Sequence, residues 1–251
     1  MRSKILALIP TRLNSKRLPA KALLPINGIP MIIHVYKRTL LSKKIDDAVI
    51  CCDDKKIFDV AIKYGAKVMM TSKKHINGTE RIAEAYKKLS RKQKYDLIVD
   101  VQGDEPFVSP KHIDQIITFH KKKRNTEIVL PNLKIKNTNN TNIVKLVTDR
   151  NDNVVYLSRA NVPYQYKNQS LFLKKHLSII SFKPRALLSF SQSKPSHLEK
   201  IEGIELLRAI DIGLKITTIN LKGDSFSVDI FEDYKRAKTQ ILKDKYFKFY
   251  K

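Results

Sequence analysis

KILALI, at positions 4–9, is an unbroken apolar run closed by Pro10, the pattern of a strand buried on both faces of a parallel sheet. PMIIHVYKRTLLS, 30–42, follows with proline at the first helical position and apolar residues at helical spacing. DDAVICC predicts a second buried strand, KKIFDVAIKYG a helix stopped by Gly65, and AKVMMT a third strand. A helix over 79–89, a fourth strand at YDLIVDVQ and a helix at SPKHIDQIITFHKKK, starting at Ser109 or Pro110, complete this series. Four strand–helix alternations in 124 residues predict an α/β fold built on a doubly wound, mostly parallel, Rossmann-like sheet.

From about residue 126 the period changes. IVLPNLKI, NIVKLVTD, NVVYLSRA and HLSIISF read as shorter strands parted by Asn-rich turns, with a hairpin near TDRNDN. A helix over 197–213, a strand at KITTINL and a closing helix at DIFEDYKRAKTQILKDK follow. The closing helix has its acids first and its lysines later, as the helix dipole favours. Nothing resembles a linker, so the expectation is one domain, 1–251, with halves at 1–124 and 125–251.

Ligands of doubly wound sheets bind beyond the carboxyl ends of the strands. Those ends carry Arg12, Lys16, Arg17 and Lys21 after strand one, Asp53 and Asp54 after strand two, the stretch from His75 to Arg81 beyond strand three, and Asp104 and Glu105 after strand four. Cations and carboxylates are therefore expected on one rim.

Composition narrows the classes. With 42% hydrophobic and 29% charged residues over 251 positions, the chain can bury a sizeable core. No apolar run approaches a membrane span, and the basic, greasy start lacks a cleavage pattern, so it reads as the first strand. Cys51 and Cys52 are adjacent and so point to opposite faces of a strand, which argues against a disulfide or metal clamp and for a reducing, cytoplasmic setting. The net charge of +25 comes from 37 Lys and 12 Arg, the lysines falling in short pieces such as Lys121 to Lys123. That distribution fits charge dispersed on polar faces, with no specific nucleic-acid partner expected.

The loop after strand one has neither GxxxxGK[ST] nor GxGxxG, so it is not one of the glycine-rich phosphate loops. Its Arg12, Arg17 and Lys21 suit a triphosphate held by side chains, since guanidinium forks and an ammonium both grip phosphate oxygens. VQGDEP, 101–106, offers Asp104 as a hard oxygen ligand of the kind Mg²⁺ takes, or else capping acids in a turn. Asp229, in SVDIFED, reads alone as a helix cap; together with Asp104 it could complete a metal site bridging phosphates. No HExxH and no GxSxG supports a hydrolase.

Taken in order, IPTRLNSKRLPAK, INGIPMIIHV, HINGTERIAEA, VQGDEP, YLSRANVPY, KHLSIISF, PSHLEKIEGIELLRAI and SVDIFEDYKRA resemble the 3-deoxy-manno-octulosonate cytidylyltransferase (CMP-Kdo synthetase) family, from about residue 4 to about 240. The resemblance implies transfer of CMP from CTP to the anomeric hydroxyl of a 3-deoxy-ulosonic acid, with release of pyrophosphate, in lipopolysaccharide or surface-polysaccharide synthesis. It implies that Arg12, Arg17 and Lys21 hold the triphosphate, with Lys21, Arg12 and Asp104 at the reacting phosphorus. Gly78, Thr79 and Arg81 are then the cytidine-side loop. Asp104 and Asp229 are the Mg²⁺ ligands. Gln102, Arg159, His176 and Glu205 surround the sugar acid, Arg159 being placed for its carboxylate. The nucleotide-diphospho-sugar transferase type of fold, a nucleotide-binding first half, a sugar-acid-binding and dimerising second half, and a homodimer are implied as well.

Several positions depart from the family forms: Ala20 stands for the glycine of RLPGK, Ala22 for proline, Asn77 for serine, Ser178 for glycine, Ile180 for tyrosine and Ser227 for glycine, and Gly203 interrupts the glutamate-rich helix motif. Three other readings remain open at this point. One is a related acid, the 8-amino sugar or a nonulosonate; one is a sugar phosphate on the same fold; one is a nucleic-acid-binding protein using the +25 charge.

Overall fold

The computed structural model describes residues 3–15, 17–167, 172–223 and 226–251. In chain order the elements are β1 (Ile5–Pro10), β2 (Pro25–Ile26), β3 (Ile29–Pro30), α1 (Met31–Leu40), β4 (Asp47–Cys52), α2 (Lys55–Lys63), β5 (Val68–Met70), α3 (Gly78–Leu89), β6 (Leu97–Val101) and α4 (Pro110–Lys122). After these come β7 (Ile128–Ile135), β8 (Lys145–Thr148), β9 (Val154–Ser158), β10 (Leu173–His176), β11 (Ile179–Phe182), α5 (Pro184–Gln192), α6 (His197–Glu202), α7 (Leu206–Asp211), β12 (Ile216–Asn220) and α8 (Phe231–Gln240).

The chain forms two compact units, Met1–Gln115 with Ser225–Lys251, and Ile116–Asp224. The last helix returns to the first unit, so this division is not the contiguous one at 1–124 and 125–251. Its reason is hydrophobic. Val228, Ala237 and Ile241 are buried against Leu18, Ile26, Met31 and Phe107, apolar surface that the α/β elements leave unpaired. The buried Arg38 locks this return, donating to the carbonyls of Phe107 and Val108 and to Asp244 Oδ1 at 2.6 Å.

In the first unit the strands run β5-β4-β1-β6, all parallel, as the apolar runs predicted. All six residues of β1 are buried, which requires helices on both faces. Thr11 N donates to the Cys51 carbonyl at 2.9 Å, carrying the β1–β4 pairing one residue into the loop. Asn27 and Gly28, both with positive φ, make the turn between β2 and β3.

The second unit is mixed. β10 and β11 both pair antiparallel with β7, β12 pairs parallel with it, and β10, β8 and β9 continue antiparallel. HLSIISF, expected as one strand, is interrupted at Leu177 and Ser178 between β10 and β11. The helix expected over 197–213 is two, because Gly203 at φ 62° ends α6 in a left-handed cap. The amphipathic α5 was not anticipated; Pro184 starts it, and Ala186, Leu187 and Phe190 are its buried face.

Candidate active site

The first unit contains a cavity of about 490 Å³ beyond the carboxyl ends of β1 and β6, lined by Arg12, Arg17, Lys21, Gly78, Arg81, Gln102, Asp104 and Asp229. Of the cations and carboxylates expected on one rim, Arg12, Arg17, Lys21, Arg81 and Asp104 line this cavity, Asp53, Asp54 and Glu105 do not, and Lys16 lies outside the described residues.

The loop after β1 reaches this cavity through a strained turn. Ala20 adopts φ 51°, ψ 29°, the left-handed conformation for which the family form has glycine, and a one-turn helix over Lys21–Leu23 follows with Ala22 buried. Lys21 is thereby aimed inward. Its ammonium donates to Asp104 Oδ2 at 2.8 Å, Asp229 Oδ1 at 3.0 Å and the Val228 carbonyl at 3.0 Å. Burial pulls the Lys21 pKa down, but the two carboxylates outweigh it and hold the pKa above its ordinary value. Arg17 donates to Asp229 at 2.9 Å, and Arg12 is exposed at the cavity wall.

Asp104 is delivered by a close approach. A side chain at Gly103 would place its Cβ 2.7 Å from the Pro10 carbonyl, so only glycine lets the β6 exit lie against β1. Val228 N donates to the Asp104 carbonyl at 2.9 Å, bringing the C-terminal segment alongside. Ser227, at a position where the family form has glycine, adds a 2.6 Å bond to Glu105 Oε1. Asp229 does not cap α8. The amides of Asp229 and Ile230 are instead accepted by Asp233, at 3.0 and 3.1 Å.

The start of α3 forms another wall. Asn77 accepts the Glu80 amide at 2.8 Å, serving as the N-cap where the family form has serine. Gly78 is confined, since a Cβ there would sit 3.1 Å from Gln102 Nε2, and Thr79 is buried behind it. The buried Arg81 holds Thr71 Oγ1 at 2.7 Å and Asp53 Oδ2 at 3.1 Å, while Asp53 Oδ1 accepts Leu13 N at 3.1 Å. Arg81 and Asp53 thus brace the cationic loop from below. Sequence reasoning placed Asp53 on the rim but gave it no part. Gln102 is oriented by donating to Asp100 at 2.7 Å.

The next residues, His75 and Glu84, were missed as a pair. Nine positions apart, they meet because the loop before α3 folds back on that helix, and His75 Nε2 donates to Glu84 Oε2. Burial alone would raise the Glu84 pKa, but bonds from Lys88, Ser72 N and His75 bring it down to about 2.

The remaining residues implied for the sugar acid belong to the second unit. Arg159 donates to the carbonyls of Glu202 at 2.7 Å, Thr141 at 2.9 Å and Gly203 at 3.1 Å, and its own amide reaches Glu202 Oε2 at 3.0 Å. Its guanidinium therefore caps the end of α6, and the left-handed Gly203 turns a carbonyl toward it. His176 ends β10, and burial lowers its pKa to about 4; its Nδ1 has no hydrogen-bond partner among the described residues. Glu205 lies in the turn before α7. The nearby Glu199, in the glutamate-rich stretch, is structural, binding the buried Arg208 through two bonds of 2.7 Å.

The carboxylate oxygens of Asp104 and Asp229, with the Val228 carbonyl, converge on one cation, the Lys21 ammonium. Among the described residues no group of three or more His, Cys, Asp or Glu could by itself hold a metal ion. Two hard carboxylates open to a cavity fit a Mg²⁺ that takes its other oxygens from phosphate or water.

Comparison with known proteins supplies the family. The family described as cytidylyltransferase matches residues 6–216. The 3-deoxy-manno-octulosonate cytidylyltransferase of Fusobacterium nucleatum is 37% identical over 240 residues, covering 93% of this chain and 95% of that protein. The 8-amino-3,8-dideoxy-manno-octulosonate cytidylyltransferase of Shewanella baltica is 34% identical, covering 94% and 98%. The solved structure of a CMP:2-keto-3-deoxy-manno-octonic acid synthetase complexed with CTP superposes with a TM-score of 0.88 at 27% identity, covering 96% of this chain and 99% of that one. Matched over residues 6–216 and 37% identical to such an enzyme over 93% of its length, this chain belongs to the 3-deoxy-manno-octulosonate cytidylyltransferase family.

Proposed function

We propose that this protein transfers CMP from CTP to the anomeric hydroxyl of a 3-deoxy-ulosonic acid, with 3-deoxy-manno-octulosonate as its substrate, for lipopolysaccharide or surface-polysaccharide synthesis. The observation that carries the reading is the convergence of Asp104 and Asp229 on the Lys21 ammonium, at 2.8 and 3.0 Å, in a cavity also lined by Arg12 and Arg17.

The sugar hydroxyl attacks the α-phosphorus, the bond to the β-phosphate oxygen breaks, and pyrophosphate leaves with the electron pair. No covalent enzyme intermediate is required, so positioning and charge neutralisation carry catalysis. Arg12, Arg17 and Lys21 hold the triphosphate. Gly78, Thr79 and Arg81 shape the cytidine side. Arg159, His176 and Glu205 of the second unit are assigned to the sugar acid, as the resemblance implies for Gln102 also. Asp104 and Asp229 would hold Mg²⁺, which would supply Lewis-acid stabilisation of phosphate charge. A cytoplasmic homodimer is part of the reading, and the 85% and 83% exposure of Tyr164 and Tyr166 on the second unit favours such self-association.

The 8-amino sugar acid is kept as a second substrate because relatives of both names match this chain at similar identity. The test is pyrophosphate release from each of four nucleoside triphosphates with a panel holding both octulosonates, a nonulosonate and a hexose 1-phosphate, with and without chelator. Release from CTP only with an octulosonate, abolished by chelation, is the expected result. Turnover with the hexose phosphate instead would sink the assignment.

A further inference from the structure

We propose that the Lys21 ammonium is a tethered placeholder for the divalent cation, so that metal and nucleotide bind cooperatively through its displacement. This inference rests on the metal reading of Asp104 and Asp229 given above. Three oxygens surround the ammonium at 2.8 to 3.0 Å: Asp104 Oδ2, Asp229 Oδ1 and the Val228 carbonyl. An all-oxygen nest with two carboxylates is also the donor set a hard divalent ion takes. An ammonium and a divalent ion cannot share it, since each needs the same lone pairs and the two repel. Metal entry without nucleotide must therefore expel a cation already held by two charged bonds.

Lys21 also has somewhere to go. It extends from the one-turn helix behind the cationic loop, and its cavity is lined by Arg12 and Arg17, the groups assigned to the triphosphate. Phosphate oxygens entering there offer the ammonium equivalent partners and free the carboxylates for metal. Linkage makes the effect mutual: nucleotide tightens metal, and metal tightens nucleotide by the same factor. Until then Lys21 keeps Asp104 and Asp229 from repelling one another, holding the site in shape.

Mn²⁺, titrated and read as the free ion by electron paramagnetic resonance, tests this without turnover. For the unaltered protein, binding of Mn²⁺ alone should be weak and tighten on the order of tenfold or more with α,β-methylene CTP. Lys21→Met and Lys21→Gln should bind Mn²⁺ alone tighter by a similar factor, show a larger Mn²⁺-induced rise in melting temperature, and lose most of the nucleotide effect, although both lose turnover. Lys21→Arg, which keeps the charge, should stay weak. Equal or weaker Mn²⁺ binding by the folded Met and Gln variants, or tight binding by the Arg variant, overturns the proposal. Asp104→Asn should weaken Mn²⁺ binding in every state; unchanged binding there overturns the metal reading itself.

Discussion

Asp233 accepts the backbone amides of Asp229 and Ile230 at 3.0 and 3.1 Å, and so releases the Asp229 carboxylate from the capping role its position suggests. One acid caps the last helix while its neighbour, four residues earlier, faces Lys21. Asp233→Ala should cost about 1 kcal/mol of stability through the lost cap. It should also weaken Mn²⁺ binding several-fold, because Asp229 then competes for the open amides. A urea midpoint together with a Mn²⁺ titration checks both; a stability loss with unchanged metal binding would separate capping from the site.

Asp104→Asn retains shape and hydrogen bonding but removes the charge that faces Lys21 at 2.8 Å. Pyrophosphate release should fall by about a hundredfold or more, with a melting temperature near that of the unaltered protein. Substantial retained turnover at saturating Mg²⁺ would refute the ligand role.

Gly103→Ala tests the close approach of β6 to β1. The new Cβ meets a backbone carbonyl, which cannot swing aside as a side-chain tip can, so the cost should be about 1–3 kcal/mol. Because the shift falls next to Asp104, kcat should drop as well. Unchanged stability and rate would mean that the turn has slack.

Stability should fall as pH drops from 6.5 toward 4. His120 is buried, its Nε2 donating to the Thr126 carbonyl and its Nδ1 bonded to Ser181, and burial lowers its pKa from 6.5 to about 4. Between those values the unfolded chain binds the extra proton, so this stabilisation is present above 6.5 and is lost as pH falls. His120 contributes up to roughly 3 kcal/mol of this slope. Urea midpoints at pH 7 and 5 should therefore differ less for His120→Gln than for the unaltered protein.

Ala20→Gly should stabilise the protein by about 0.5–1 kcal/mol, since relief of the left-handed strain at φ 51° exceeds the added chain entropy. Differential scanning calorimetry would read this as a rise of about 1–3 °C. A lower melting temperature would show that the turn tolerates alanine without strain.

The apolar runs alone determined the parallel core. β1 and β6 are buried from end to end and β4 from Ala48 to Cys52, so their burial is written in largely apolar runs, and Pro10 and Gly65 mark boundaries by local backbone preference. The cationic loop was legible for the same local reason: Arg12, Arg17 and Lys21 follow a strand end directly and line the cavity beyond it.

Three matters were decided only by the tertiary structure. Asp229 lies 125 positions after Asp104, and nothing local brings them together; burial of Val228, Ala237 and Ile241 on Leu18, Met31 and Phe107 does. His75 and Glu84, and Arg81 and Asp53, likewise meet across loops whose paths depend on packing. The resemblance implied Arg159 for the sugar carboxylate, and only the packing shows that Gly203 ends α6 where the carbonyls of Glu202 and Gly203 also accept from it. Periodicity records which residues are buried within an element, because that follows from local geometry. Which distant charges share a site follows from how those buried faces pair, and that information exists only once the chain has packed.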